Sequence, residues 1–270
     1  VTVNSATSAT AVVNIGAAAA AVTGASRGLG RAIARRLARE GAAVCVNYVA
    51  RCAEAEALVN EIRAAGGRAI AVRTDVGDPA QVEKMMGVIQ AELGPVSMLV
   101  NNAGAIYRAT LETFNPAGME RMRRTNVDGL IHVTRAAMPG MKERHYGRIV
   151  NLGSVARHGT SLPGSAFYAT TKAAVAVLTR RFAMELGPYG ITVNAVAPGF
   201  IQTDMVKEGR THEEHARLIQ TIKEHSMLGR VGNPEDIAHV VAFLAAPESG
   251  FITAQVITVD GGRMDYIGHP

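Results

Sequence analysis

The chain has 270 residues, 48% of them hydrophobic and 19% charged, with no Trp, enough for one large α/β core, too little for two generous domains, and incompatible with large-scale disorder. Its formal charge of +5 comes from Lys and Arg spread along the chain, with no basic tract or aromatic-interleaved stripe, which excludes nucleic acid and leaves a polyanionic small molecule or an acidic partner. The longest apolar run, Val12 to Val22, falls well short of the ~20 residues of a membrane span, and Cys45 and Cys52 lie outside any Cys-x-x-Cys spacing, as expected of reduced thiols in a cytoplasmic protein.

Residues 1–16 are rich in Ser, Thr and Ala and lack acids. They read as an N-terminal extension, either an organelle transit remnant, which keeps a stroma or matrix location open, or a processing scar. A single domain follows over 17–270. Seven β-branched or apolar runs alternate there with helical patterns: Ala18 to Thr23, Ala43 to Tyr48, Arg68 to Arg73, Ser97 to Asn101, Arg148 to Leu152, Thr192 to Ala197 and Val256 to Val259. This alternation predicts a doubly wound, Rossmann-like parallel sheet with helices on both faces and a ligand crevice at the carboxyl ends of the strands.

The first predicted strand runs into Thr23-Gly24-Ala25-Ser26-Arg27-Gly28-Leu29-Gly30 and then a helix over Gly28 to Glu40, closed by Gly41. Glycines at a strand-to-helix turn allow backbone N–H groups to reach a pyrophosphate, and the helix N-terminus favours its charge. The residue that reads the ribose is expected about 20 positions further on, where an acid would bind a free 2′-hydroxyl. Asn47 stands there, beside Tyr48, and Arg27 and Arg51 offer charged donors to a 2′-phosphate. The expected cofactor is NADP(H).

Further along, helices are predicted over Asn115 to Met138 and Ala166 to Leu186, with apolar residues on more than one face, as for burial against other subunits. In the second, Tyr168 and Lys172 stand four apart and project from one face. A nearby cation favours the phenolate, so Lys172 together with the oxidised nicotinamide is expected to lower the pKa of Tyr168. Ser154, just past the fifth strand, is placed to hold a substrate carbonyl, and Asn126 to retain a water linking Lys172 to solvent. The stretch from Gln202 to Arg230 mixes Met205, Leu218, Ile219, Ile222, Met227 and Leu228 with charges and reads either as a substrate lid or as closure of the core. The eight His are scattered; His212 and His215 lie in a charged helical stretch without further ligands, so no metal is expected.

On these motifs the chain resembles the short-chain dehydrogenase/reductase family from about Ala17 to Gly262. The motifs are Thr23 through Gly30, Asp75-Val76, Asn101-Asn102-Ala103-Gly104, Asn126, Ser154, Tyr168 with Lys172, and Pro198-Gly199. The resemblance implies that Asp75 and Val76 flank the adenine, that Asn101, Asn102, Ala103 and Gly104 line the cofactor, and that Lys172 also binds the nicotinamide ribose. It further implies that Pro198, Gly199, Ile201 and Thr203 face the nicotinamide. The segments Pro198 to Met205 and Ile252 to Gly262 look most like 3-oxoacyl-[acyl-carrier-protein] reductases, although Tyr189 stands where those commonly carry an arginine.

The expected activity is NADPH-dependent reduction of a 3-oxoacyl thioester on a carrier protein or CoA, without nucleic acid or membrane, by a homotetramer. Arg123, Arg124, Lys142, Arg144 and Arg148 are candidates to steer an acidic carrier. Reduction or oxidation of a sugar, steroid or quinone uses the same groups, and a non-catalytic NADP sensor would keep Gly24, Gly28 and Gly30 while dispensing with Tyr168 or Lys172.

Overall fold

The computed structural model describes residues 18–159, 163–203 and 211–263. The N-terminal extension and residues 204–210 of the predicted lid, with Met205, lie outside the described residues. The seven strands are β1 Ala19–Val22, β2 Ala43–Tyr48, β3 Ala69–Arg73, β4 Val96–Asn101, β5 Gly147–Leu152, β6 Ile191–Pro198 and β7 Val256–Val259. They form one sheet in the order β3-β2-β1-β4-β5-β6-β7, and every pairing is parallel. The order reverses between β1 and β4, which opens a crevice beyond the carboxyl ends of these two strands.

Helices α1 Gly28–Arg39, α2 Cys52–Ala64, α3 Pro79–Glu92, α4 Pro116–Arg123, α5 Gly129–Glu143, α6 Ala166–Leu186, α7 His212–Glu224 and α8 Pro234–Ala245 complete the described fold. The small residues of β1 divide between two cores. Ala20 and Val22 pack with Ile33 and Leu37 of α1 and Ile237 and Val241 of α8. Ala19 and Ala21 pack with Val82 and Met85 of α3 and Val133 of α5. An alanine-rich central strand therefore buries fully, because helices on both faces supply the larger side chains.

The helix predicted over Asn115 to Met138 is interrupted by a π-helical turn at Arg124–Asp128 and then continues through Pro139 to Glu143. The wider turn accommodates an extra residue and gives Asn126 an inward position that a regular α-helix would rotate away. Pro139 lies inside this helix, where it removes one i→i−4 hydrogen bond and crowds the carbonyl of Arg135, yet the helix continues past it. In the predicted lid, Ile222, Leu218 and Ile219 pack on Phe200 and Val231 and so close a small satellite core. Met227 and Leu228 remain exposed. Neither cysteine forms a disulfide; burial in β2 pushes the Cys45 thiol up to about 12.

Candidate active site

The crevice is built from two turns stitched together. Thr23 Oγ1, at the end of β1, accepts from the backbone N–H groups of Asn102 and Ala103, both at 2.9 Å. Asn102 Nδ2, just past β4, donates to the carbonyls of Thr23 and Gly24 at 2.8 and 3.0 Å. Gly24 and Gly28 hold φ of 61° and 56°, the left-handed region that glycine enters without strain. A Cβ on Gly30 would stand 2.4 Å from the Gly24 carbonyl oxygen, so glycine there lets α1 approach the turn. The helix begins without a side-chain cap, leaving its N–H groups to an anionic ligand.

A cleft of about 440 Å³ runs from this turn along the strand ends, in the size range of small-molecule sites. At one end Ser26, Arg27, Gly28 and Leu29 face Tyr48 and Arg51. Arg51 pairs with Glu54 at 2.8 Å, and this hydrogen bond, with smaller contributions from the charges of Arg51 and Arg27, holds the Glu54 carboxyl below its ordinary value; the two guanidinium groups thus share one neighbourhood. Asn102, Ala103 and Gly104 form the middle. Ser154, Tyr168, Lys172, Pro198, Gly199 and Ile201 also line the cleft, and Thr203 lies beside Gly28 of the glycine turn. Among the described residues, five cations and no carboxylate line the cleft.

Five of the anticipated cofactor residues, Asn47, Gly30, Asp75, Val76 and Asn101, are not among those lining this cleft, and Asn101 Nδ2 donates instead to Thr134 Oγ1 and Asn151 Oδ1. Asn47 is 2% exposed. Its Oδ1 accepts from Gly24 N at 3.0 Å and its Nδ2 donates to the carbonyls of Thr74 and Val72 at 3.0 and 3.4 Å. It braces the glycine turn from behind, and its polar atoms are consumed there. Gly30 sits under the turn. Asp75 accepts from Gly77 N and pairs with Arg124 at 3.1 Å. Val76 is buried among α3 and α5 side chains. Of the residues expected to steer a carrier, Arg148 is 5% exposed and donates to the carbonyls of Gly147, Ala246 and Pro247. Arg144 donates to Val96 O at 2.7 Å, and Arg123 pairs with Glu120 and Asp128. Lys142 lies over the Tyr189 ring.

Tyr168 and Lys172 do face the same space, with Nζ 5.7 Å from the phenol ring centroid. In the protein alone, burial governs both groups. Desolvation pushes the Tyr168 phenol up to about 12, with the hydrogen bond to Ser154 and the charge of Arg108 offsetting it in part. Burial pushes Lys172 down to about 8. Its ammonium is drawn to the Leu152 carbonyl, to which it donates at 2.7 Å, so in this state Lys172 does not acidify the phenol; at neutral pH the phenol holds its proton. Asn126 Oδ1 accepts from Ala105 N at 2.7 Å, and its Nδ2 donates to Ala105 O and to Thr171 Oγ1. Asn126 and Lys172 both line a small side cavity of about 10 Å³, close to the volume that one water needs.

A family model described as enoyl-(acyl carrier protein) reductase matches residues 24–263. The chain belongs to the short-chain dehydrogenase/reductase family. Among curated members of this family, the short-chain reductase protein NovJ of Streptomyces niveus is 41% identical over 247 residues, covering 90% of this chain and 93% of the relative. The 3-oxoacyl-[acyl-carrier-protein] reductase FabG of Staphylococcus aureus is 41% identical over 243 residues, covering 90% and 96%. Among solved structures, a short-chain dehydrogenase of Burkholderia cenocepacia in complex with NADP is 36% identical and superposes with a TM-score of 0.83, covering 92% of this chain and 98% of that one. The Serratia marcescens short-chain dehydrogenase/reductase is similar at 35% identity, with the same coverage and a TM-score of 0.84.

Two cleft residues, Arg108 and Arg263, escape a motif reading of this short-chain dehydrogenase/reductase. Arg263 directly follows Gly261-Gly262, and Arg108 comes four residues after Gly104, the end of the Asn101 to Gly104 segment. An arginine within a few residues of a strand's carboxyl end is the sign that could have found them.

Proposed function

We propose that the protein reduces the carbonyl of a 3-oxoacyl thioester to an alcohol with NADPH. The carrying observation is a single cleft with Arg27 and Arg51 at one end, Ser154, Tyr168 and Lys172 at the other, and no lining carboxylate among the described residues. The NADP bound to the Burkholderia relative and the reductase activity in the name of the Staphylococcus relative support this reading. The glycine turn, the uncapped start of α1 and the two arginines fit a dinucleotide with a 2′-phosphate.

Bound NADPH supplies the hydride. Ser154 Oγ holds the carbonyl oxygen by a hydrogen bond, and Tyr168 Oη gives that oxygen a proton as negative charge develops. A phenol pushed up to about 12 is protonated at working pH, the form that reduction consumes. Lys172 stabilises the phenolate left behind. Asn126 and a water in the side cavity return the proton from solvent through Lys172.

The reading includes a homotetramer in the cytoplasm, for which the exposed Val177 and Met184 of α6 offer part of a subunit face. The test is loss of NADPH absorbance with acetoacetyl thioesters beside sugar, steroid and quinone carbonyls. Tyr168→Phe is expected to abolish turnover and keep NADPH binding. Near-normal turnover of that variant overturns the mechanism, and turnover confined to another carbonyl class overturns the substrate.

A further inference from the structure

Thr134 of α5, Asn101 of β4, Asn151 of β5 and Thr179 of α6 are all buried and form one hydrogen-bonded row across the fold. The direction of the row is set at its α6 end. Thr179 Oγ1 spends its single hydrogen on Val175 O at 2.7 Å, so towards Asn151 it can only accept, and Asn151 Nδ2 donates to it at 3.0 Å. The Asn151 side-chain oxygen is thereby turned to Asn101, whose Nδ2 donates to it at 2.9 Å and to Thr134 Oγ1 at 3.0 Å. Turning the Asn101 amide over would set two acceptor oxygens against each other, so its orientation is fixed. Asn101 Oδ1 is left as the end of the row. It is buried without a hydrogen-bond partner, in a residue 5% exposed, and an acceptor buried bare is costly.

Asn101 also lines the side cavity of about 10 Å³, together with Lys172, Asn126, Thr23 and Thr125. A water filling so small a space lies within reach of the groups around it. Most of the polar side chains there are already engaged. Thr23 Oγ1 donates to Val100 O and accepts from Asn102 N and Ala103 N. Thr125 Oγ1 donates to Arg121 O. Asn126 has placed both amide hydrogens, on Ala105 O and Thr171 Oγ1, and its Oδ1 already accepts from Ala105 N. Lys172 Nζ donates to Leu152 O, and an ammonium carries three N–H groups. A donor with hydrogens to spare and an acceptor that receives none therefore border one water-sized cavity.

We propose that Asn101 is a positioning residue for proton return: its Oδ1 holds one hydrogen of a water in the side cavity, and the oxygen of that water accepts from Lys172 Nζ. The inference rests on the carbonyl-reductase reading above. It gives the returning water an anchor outside the cleft, since Asn101 is not among the cleft-lining residues. Once Tyr168 Oη has protonated the new alkoxide, Lys172 passes a proton to the phenolate and becomes a neutral amine. The anchored water turns its second hydrogen to the amine nitrogen and gives up that proton; the hydroxide left behind takes one from solvent. The first turnover uses the proton already on Tyr168 and does not need this water. Every later turnover does.

Two measurements test the assignment. A crystal structure of the enzyme with NADP+, fine enough to place ordered waters, is expected to show one about 3 Å from both Asn101 Oδ1 and Lys172 Nζ. Stopped-flow oxidation of NADPH, with whichever carbonyl the absorbance assay finds, compares the first turnover with the steady state. In Asn101→Leu the ratio of first-turnover to steady-state rate is expected to rise about tenfold or more over wild type. Thr134→Val removes another hydrogen bond of the same row and leaves the Asn101 oxygen in place, so it is expected to lower the melting temperature and keep the wild-type ratio. A cavity without a water on Asn101 Oδ1 overturns the inference, and that observation needs no variant to fold. An Asn101→Leu enzyme with the wild-type ratio, or a Thr134→Val enzyme whose ratio rises as far, overturns it too. Absence of turnover with every carbonyl overturns the reductase reading instead, and the crystal structure then decides by itself whether Asn101 holds the water.

Discussion

Lys172 is 5% exposed and buried deeply enough to hold its pKa at about 8 against an ordinary 10.5, which makes a prediction about stability that can be worked through. Between these values the unfolded chain binds a proton that the native chain does not, so the native state gains stability as pH rises through this window. The penalty is complete below the folded value of about 8 and absent above the unfolded value of 10.5. At 1.36 kcal/mol per unit, the gap corresponds to about 3 kcal/mol as an upper limit. Lys172→Met removes the titrating group and keeps most of the volume. The wild-type protein is therefore expected to gain up to ~3 kcal/mol relative to the variant between pH 7.5 and 10.5. Urea unfolding of both proteins across this range measures the difference, and other titrating groups cancel in it to first order. A difference that does not move with pH, or that moves the other way, refutes the claim that burial controls Lys172. The variant is also expected to lose reductase activity, which separates the group's catalytic use from its cost to the fold.

Three further outcomes follow from the cleft. Replacing Arg27 and Arg51 with Ala is expected to lower the kcat/KM ratio of NADPH to NADH by about tenfold or more, and an unchanged ratio in steady-state kinetics removes both from 2′-phosphate recognition. Asn47→Asp is expected to destabilise by about 1–3 kcal/mol, because a carboxylate cannot donate to the Val72 and Thr74 carbonyls; a variant with wild-type melting behaviour that prefers NADH would place Asn47 against the nucleotide instead. Gly30→Ala puts its methyl 2.4 Å from a backbone oxygen and is expected to cost about 1–3 kcal/mol through overpacking, together with weaker NADPH binding by fluorescence titration.

Much of the fold is legible in the chain because its signals are local. The glycine turn after Val22, the β-branched runs of β2, β5 and β6, and the helix stop at Gly41 each depend on neighbours a few residues away. The anticipated strands match those observed to within a residue or two. The π-turn at Arg124–Asp128 left no comparable trace, since a helical pattern reads through it; the turn is held by Asn126 bonding to the Ala105 and Thr171 segments on other elements. The satellite core of Phe200, Ile222 and Val231 was equally ambiguous, because an amphipathic stripe does not say what covers it.

The sequence by itself determined the seven-strand alternation, the glycine turn after β1 and the four-residue spacing that sets Tyr168 and Lys172 on one helical face, since backbone geometry enforces each over a short span. Tertiary structure alone decided which polar groups work and in which protonation state. Asn47 stands in the expected ribose position yet is withdrawn into hydrogen bonds with β1 and β3 neighbours. Tyr168 is made less acidic, where spacing alone implied the opposite, because desolvation belongs to the packed site and outweighs a cation whose charge is drawn to the Leu152 carbonyl. Arg108 and Arg263, far apart along the chain, line one cleft because the sheet is parallel throughout, so the segments that follow β4 and β7 leave along the same edge.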